Sequence, residues 1–453
     1  MKFVPAITTV LGCMAICTSI ASNANATKKK RGKKVASIKC TSEKKKKSIN
    51  MLFIGNSFTY GPPPYEGIRP DQQQLNNLPR LVKLIAESLD PELTVNLGED
   101  TIGGCTLSQH RPSVTPEQLN NETAVANGFQ VAGPPHEPRL DVADMCTVRA
   151  DVALSLPQYH PCPQLLTRQP FGPWDYVAVQ DFSSLPTVQQ ARETMMLPAI
   201  DEIQAVLRRQ GQQTGVMPIV ASYLTWSYYN GTLDQCPHSF RHPKPGCFPL
   251  GSLETLSDDC SVDYHDKVRE VPCQAYALAR AYADTLNHGV DVLVPAGLAW
   301  QAAIGSPSIP QECKNAIDNE YPTDDQNVNV LDQLDLPLPL TNPSDARWTD
   351  MQARLALYRD KGPAYKSPYC TNGCTIDHHP SILGMYLNAL VFYATLFKRS
   401  PFFAGYPNGI LEVDGMVLPF LSAETAHVLQ RIAHDIVMPY LEVWWNEKKE
   451  EKQ

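Results

Sequence analysis

Ser57 stands where a nucleophile would be expected in this sequence. It directly follows an apolar run, Ile49–Ile54, and the two turn residues Gly55 and Asn56. The run is typical of a buried strand, and open α/β sheets bind ligands at the carboxyl ends of their strands. A serine hydroxyl placed there becomes reactive when a base lies within hydrogen-bond reach and N–H donors can stabilise an oxyanion. The spacing also allows a second interpretation, a serine that caps a helix.

A candidate base lies near the C-terminus. Asp377, His378 and His379 precede Pro380 and Ser381, where an apolar periodic segment predicts the start of a helix. An acid beside imidazoles can take a proton from a serine. The same three residues are also metal-ligand types, but adjacent residues rarely ligate one metal together, so we expect no metal site here.

Strands alternate with helices along the chain, which predicts a three-layer α/β fold with a parallel sheet. Segments at roughly 105–170, 227–270 and 303–372 interrupt the alternation and hold most of the Cys and Pro, so we expect loop insertions there. The predicted strands are Ile49–Ile54, Leu93–Leu97, Tyr176–Val179, Val216–Ser222 and Val290–Val294, and the predicted helices are Leu78–Leu89, Arg192–Arg209, Cys273–Leu286, Ser381–Leu396 and Ala423–Tyr440.

Five blocks of the sequence occur in the order known from one family. Ile-Gly-Asn-Ser-Phe-Thr after the first strand and His-Pro-Ser-x-x-Gly-x-Tyr-Leu near the C-terminus resemble the first and last blocks of the SGNH hydrolases, the GDSL-type esterase/lipase superfamily. The branch with Gly-Asn-Ser-Phe-Thr fits best. Weaker matches lie at Gly103–Leu107, Trp174–Asp181 and Val294–Ala299. The resemblance covers well under half of the residues and implies a flavodoxin-like α/β/α domain with long disulfide-bearing insertions.

The resemblance implies roles for individual residues. Ser57 would be the nucleophile and His379 its general base, with the backbone N–H groups of Ser57 and Gly104 in the oxyanion hole. Gln180 stands where the family has an asparagine, and its amide could donate as the third oxyanion group.

The acid departs from the family pattern. Asp377 lies two residues before His379 instead of three. Three interpretations stay open: a rebuilt loop that still uses Asp377, a shared role for His378, or a Ser57–His379 dyad. Thr225 and Trp226, after the fourth strand, are candidates for lining the cleft together with His378, although Trp226 suits a packing position better.

The N-terminus has the features of a secretory signal peptide at residues 1–26, with Lys2, an apolar stretch and the cleavage site Ala24-Asn25-Ala26. An uncleaved membrane anchor is the alternative. We expect a disordered basic linker at 27–48, one hydrolase domain at 49–445 and a charged tail at 446–453. The net charge of −8 conceals a linker with 11 Lys/Arg and one Glu, so the domain is more acidic than the total.

The cysteines favour an oxidising compartment. Of 13 cysteines, 11 follow the signal segment, mostly in polar, Pro-rich stretches typical of disulfide-stapled loops. Their odd number leaves at least one thiol outside intrachain pairs. Cys236, His238, His242 and Cys247 have a spacing that could bind zinc, but a disulfide is favoured there. Asn121 and Asn230 stand in glycosylation sequons.

Together these features predict a secreted serine esterase that works through an acyl-enzyme without a cofactor. The expected substrate is a small-molecule or polysaccharide ester, with O-acetyl groups on carbohydrate as the first candidate. We expect no nucleic-acid partner and no stable membrane span after signal removal. The alternatives are a non-catalytic glycan-binding or surface protein with the same fold, and a lipase or phospholipase acting on lipid esters.

Overall fold

Five parallel strands form the central sheet of the protein, in the order β2-β1-β3-β4-β5. The strands are β1 (Lys47–Gly55), β2 (Leu93–Thr101), β3 (Tyr176–Val179), β4 (Ile219–Tyr223) and β5 (Val292–Val294). The computed structural model describes residues 47–60, 78–101, 106–113, 163–167, 172–182, 185–187, 191–227, 271–304, 311, 314–315, 357–360, 376–404 and 423–450, all within one compact unit, Lys46–Gln453.

Strand β1 lies inside the molecule with both of its faces covered. Every residue from Ile49 to Gly55 is buried, which is the pattern of a parallel strand between two layers. Phe53 packs on Phe392 with ring centroids 5.5 Å apart. Its neighbour Leu52 points to the opposite face, where it lies beside the buried Trp174 and Gly98. The sheet is therefore the middle of three layers, and this confirms the predicted α/β/α fold and its flavodoxin-like strand order.

Seven α-helices are described around and beside the sheet. Among them α2 packs on α6, and α6 packs on α7 and α5, so these four form one continuous helical layer. Helix α3 begins after one turn of π-helix at Arg192–Met196 and ends at Gly215, which has a φ of +74°. The helices are α1 (Ser57–Tyr60), α2 (Leu78–Leu89), α3 (Leu197–Thr214), α4 (Val271–Ala283), α5 (Ala296–Ile304), α6 (Ile382–Phe397) and α7 (Ala423–Glu450).

A two-stranded antiparallel ribbon stands apart from the main sheet. Its strands are β6 (Tyr358–Asp360) and β7 (Ile376–Pro380), with Tyr358 paired to Pro380. The sequence did not predict this ribbon. The ribbon matters for the candidate site because β7 contains Asp377, His378 and His379 and leads directly into α6.

Several predicted boundaries were wrong. Strand β2 continues to Thr101 beyond the predicted end at Leu97, strand β5 begins at Val292 instead of Val290, and helix α3 spans Leu197–Thr214 instead of Arg192–Arg209. Strand β1 begins at Lys47, inside the predicted linker. Strand β4 begins at Ile219 instead of Val216, because Gly215 ends α3 and Pro218 has no N–H to give a neighbouring strand. Helix α7 continues ten residues beyond Tyr440, so the tail predicted from residue 446 is helical up to Glu450.

Several predictions fall outside the described residues. These are the signal segment 1–26, most of the linker, the three insertions for the most part, the sequons at Asn121 and Asn230, and the group Cys236, His238, His242 and Cys247. Within the described ranges, no helix has the length and apolar character needed to cross a membrane.

Candidate active site

Ser57 lies at the topological switch point of the sheet. Strand β1 lies between β2 and β3 in the sheet. The chain passes from β1 to β2 on one side and later to β3 on the other side, which leaves a crevice at the carboxyl end of β1. In flavodoxin-like sheets this crevice is where ligands bind. Ile54 pairs with Val179, so the residues that follow β1 and β3 are neighbours. The strand order thus brings Ser57 and Gln180 to one place.

Asn56 shapes the turn that presents Ser57. Its carbonyl oxygen accepts from the Thr59 N–H at 2.8 Å, and its side-chain Oδ1 accepts from the Phe58 N–H at 3.1 Å. The cap of α1 is therefore Asn56. Ser57 is the first helical residue and its hydroxyl takes no part in this capping.

His379 reaches Ser57 from the other end of the chain. Its Nε2 lies 2.8 Å from the Ser57 Oγ, although 322 residues separate the two in sequence. The next residues anchor it: Pro380 pairs with Tyr358 across the ribbon, and Ser381 caps α6 by accepting from the Gly384 N–H at 3.2 Å. Ser57 is nearly fully buried and His379 is half-buried, so the pair is shielded but His379 stays accessible.

Phe58, Trp226 and Trp300 form an aromatic column that begins beside His379. Phe58 meets His379 edge-on at 5.5 Å and stacks on Trp226 at 4.8 Å. Trp226 stacks in turn on Trp300 at 4.1 Å, with the rings only 6° from parallel. Gly384 at the start of α6 packs so tightly on Trp300 that a Cβ would lie 2.5 Å from its ring. The column therefore joins α1, which begins at Ser57, to α6, which follows His379.

Gln180 contacts the turn around Ser57 through its side-chain oxygen. Its Oε1 accepts from the Asn56 N–H at 3.1 Å and from the Thr59 hydroxyl at 3.0 Å. Its Nε2 donates to the Asp181 carbonyl. These contacts do not test the predicted oxyanion role of Gln180, which stays a prediction.

A buried acidic group lies directly beyond Gln180. The Asp181 Oδ1 accepts from the N–H groups of Leu107 and Phe182, at 2.8 and 2.7 Å. Burial raises the pKa of the Asp181 carboxyl, and these two donors and His110 offset part of that rise. His110 also pairs with Asp100 at 2.9 Å, with both side chains almost completely buried. Asp181 and His110 thereby tie the 3₁₀ turn Leu107–His110 to the ends of β3 and β2.

Of the remaining predicted site residues, some are described in full, some by their backbone alone and one not at all. Thr225 and Trp226 are buried, so they pack inside the described structure and do not face solvent. Asp377 and His378 belong to β7, but their side chains are outside the described residues, as is Gly104. The acid's identity and the Gly104 donor therefore stay predictions.

Several residues around the pair were not predicted as site residues, among them Asn56 and Thr59 of the turn at Ser57. Phe58, Trp300 and Asp181 each contact or anchor a predicted site residue, yet in sequence they look like ordinary core or strand-end positions. Phe58 and Asp181 stand in two of the blocks that resemble the SGNH hydrolases, and Asp181 is also an acidic residue directly after a buried strand. Within the described part of the chain, no three His, Cys, Asp or Glu side chains converge as a metal site would require.

The fold and this geometry define a flavodoxin-like α/β/α domain with a serine–histidine pair at its switch point. No protein-family model and no curated protein matches the chain. Among solved structures, a DUF4886 family protein from Bacteroides uniformis is 14% identical with a TM-score of 0.43, over 87% of this chain and 96% of that one. A "putative SGNH hydrolase" from Slackia heliotrinireducens is 14% identical with a TM-score of 0.32, over 77% and 99%. Similarities of this size carry no functional argument.

Proposed function

We propose that the protein is a serine hydrolase that cleaves a carboxylic ester through an acyl-enzyme. The observation that carries the proposal is the 2.8 Å contact between the His379 Nε2 and the Ser57 Oγ at the switch point. A serine that follows a buried strand at this edge and meets an imidazole nitrogen has the two elements that acyl transfer requires first.

In the proposed reaction, the Ser57 hydroxyl donates its proton to the His379 Nε2 while Oγ attacks the ester carbonyl. The tetrahedral oxyanion is stabilised by backbone N–H donors, for which Ser57 and Gly104 are the candidates. His379 then gives the proton to the leaving alcohol, and the C–O bond of the ester breaks. Water, deprotonated by His379, attacks the acyl-enzyme, and the acid product leaves with Ser57 restored.

A second Ser–His hydrogen bond shows why position matters as much as distance. The His434 Nδ1 lies 2.9 Å from the Ser400 Oγ, a spacing close to that of the proposed catalytic pair. Ser400, however, caps the short 3₁₀ helix Pro401–Phe403 by accepting from the Phe402 N–H. It lies between α6 and α7, away from the carboxyl edge of the sheet. This pair gives a matched control for the proposal.

For the substrate we propose an O-acyl ester on a small molecule or a polysaccharide, met outside the cytoplasm after secretion. The acidic character of the chain beyond residue 48 favours a neutral, carbohydrate-linked ester over a strongly anionic one. A lipid ester is the second substrate class. A non-catalytic glycan-binding role is the alternative to hydrolysis.

The proposal is tested by turnover of a chromogenic acetate ester. Ser57→Ala and His379→Ala should each lower kcat by about three or more orders of magnitude, because nucleophile and base act as one unit. His434→Ala, which removes the contact with Ser400, should retain wild-type kcat. Circular dichroism and melting temperature show whether each variant is folded.

A fluorophosphonate probe separates the enzyme from the binding protein. Labelling at Ser57, absent in Ser57→Ala and retained when the exposed Ser88 is replaced by Ala, supports the enzyme. A folded wild-type protein that neither labels nor turns over any acetate ester refutes hydrolysis and favours glycan binding.

A further inference from the structure

The Gln180 side chain fills the space between the ends of β1 and β3. It is almost completely buried, and its Oε1 holds both the Asn56 N–H and the Thr59 hydroxyl. The turn is built closely around it, because a Cβ on Gly55 would lie 2.8 Å from that same oxygen. Only glycine leaves room at this position for the Gln180 amide.

The chemistry of its neighbours determines which way the amide faces. The Asn56 N–H can only donate, so the atom that meets it must be the oxygen. The Asp181 carbonyl can only accept, so the atom that meets it must be the nitrogen. A flipped amide would oppose donor to donor at one end and acceptor to acceptor at the other.

We propose that Gln180 is a positioning residue for the nucleophile. Its oxygen holds Asn56 and Thr59, which bracket Ser57 on both sides, and so fixes the direction in which Oγ points toward His379. This inference rests on the proposed hydrolase function. It differs from the oxyanion role expected from sequence, because that role would use the second amide N–H, whereas positioning uses the amide oxygen that faces the turn.

Replacement by glutamate and by methionine distinguishes the two roles. In Gln180→Glu, a protonated carboxyl accepts from Asn56 and Thr59 through its carbonyl and donates its one O–H to the Asp181 carbonyl. It reproduces every contact described for Gln180 but has no second hydrogen for an oxyanion. Gln180→Met has a similar length and can make none of these contacts.

The measurement is kcat and KM for a chromogenic acetate ester across a pH series, with each variant divided by wild type at the same pH. If Gln180 is a positioning residue, Gln180→Glu stays within about tenfold of wild-type kcat at low pH and loses activity as the new carboxyl ionises. Because position 180 is buried, we expect the pKa of this carboxyl to be raised. Gln180→Met should lose about 100-fold in kcat at every pH with little change in KM.

An inactive glutamate variant would overturn the positioning role of Gln180. If Gln180→Glu is folded but as inactive as Gln180→Met at every pH, the second amide hydrogen is the essential group and the positioning role is wrong. A wild-type protein without turnover or Ser57 labelling refutes both proposals, whereas an active wild type with an inactive glutamate variant refutes positioning alone.

Thr59 supplies a second test that does not depend on the folding of a Gln180 variant. Thr59→Val removes one of the two donors to the Gln180 oxygen and should lower kcat several-fold with unchanged KM, and Thr59→Ser should restore it. A Thr59→Val variant with wild-type kcat would also overturn the positioning role.

Discussion

Truncation of Trp226 to alanine should separate stability from catalysis in this molecule. The Trp226 ring is buried between Phe58 and Trp300, with stacking contacts at 4.8 and 4.1 Å. A buried tryptophan removes roughly 200 Å² from water, which at about 25 cal/mol per Å² amounts to about 5 kcal/mol. The alanine methyl recovers part of this, so we expect a loss of about 3–5 kcal/mol in the free energy of unfolding. That is a large share of the roughly 5–15 kcal/mol of a typical domain.

The loss of the ring should also reach the active site. Phe58 loses the surface on which it stacks and becomes free to tilt, and His379 rests edge-on against Phe58. We therefore expect kcat of the folded fraction to fall by about tenfold, since small misplacements of reacting groups are costly. Stability is read from urea denaturation, and kcat from acetate ester turnover at a temperature where the variant is fully folded.

Trp174→Ala provides the matched comparison. Trp174 is equally buried and donates to the Leu165 carbonyl at 3.0 Å, but it packs beside Leu52 on the other face of the sheet. It should cost a similar amount of stability while kcat of the folded protein stays near wild type. The reasoning is refuted if Trp226→Ala costs less than about 1 kcal/mol, or if both variants lower kcat equally.

Two further variants probe the same framework. Gly384→Ala should lower stability by about 1–3 kcal/mol and reduce kcat, because its methyl would lie 2.4 Å from the Leu357 carbonyl and 2.5 Å from the Trp300 ring; an unchanged melting temperature contradicts this. Asp181→Asn should become more stable relative to wild type as pH rises above 3.8. Burial raises the pKa of the Asp181 carboxyl in the folded protein, so its ionisation lowers the stability of wild type, whereas the asparagine amide does not ionise. Urea denaturation from pH 4 to 7 measures the difference, which should not stay constant.

The sequence predicted the elements whose signals are local. Helix Leu78–Leu89 and strand Tyr176–Val179 have the predicted bounds, because amphipathic spacing and a short buried run are readable in one segment. The start of β4 was misplaced because Val216 and Met217 are apolar yet exposed, so their character predicted strand where the chain is irregular. The end of α7 was missed because Glu and Lys sustain a helix without the apolar periodicity on which the prediction relied.

The arrangement of the candidate site could not be predicted from local sequence patterns alone. The resemblance selected Ser57 and His379, but the ribbon that holds His379 has strands of three and five residues whose pairing depends on distant chain segments. The direction of the Gln180 amide depends on Asn56 and Asp181 together, from two different strand ends. Sequence spacing cannot express such an arrangement, because it arises only when β1 and β3 become neighbours.

The separation of Ser57 and His379 by 322 residues also has a consequence for synthesis. Ser57, its turn and all five strands of the main sheet are translated before β7. Under the proposed mechanism, a growing chain that has not reached His379 has its serine but no base to activate it. Hydrolytic competence therefore arises only when β7 and α6 have docked, so ester turnover reports on completion of the C-terminal part of the fold.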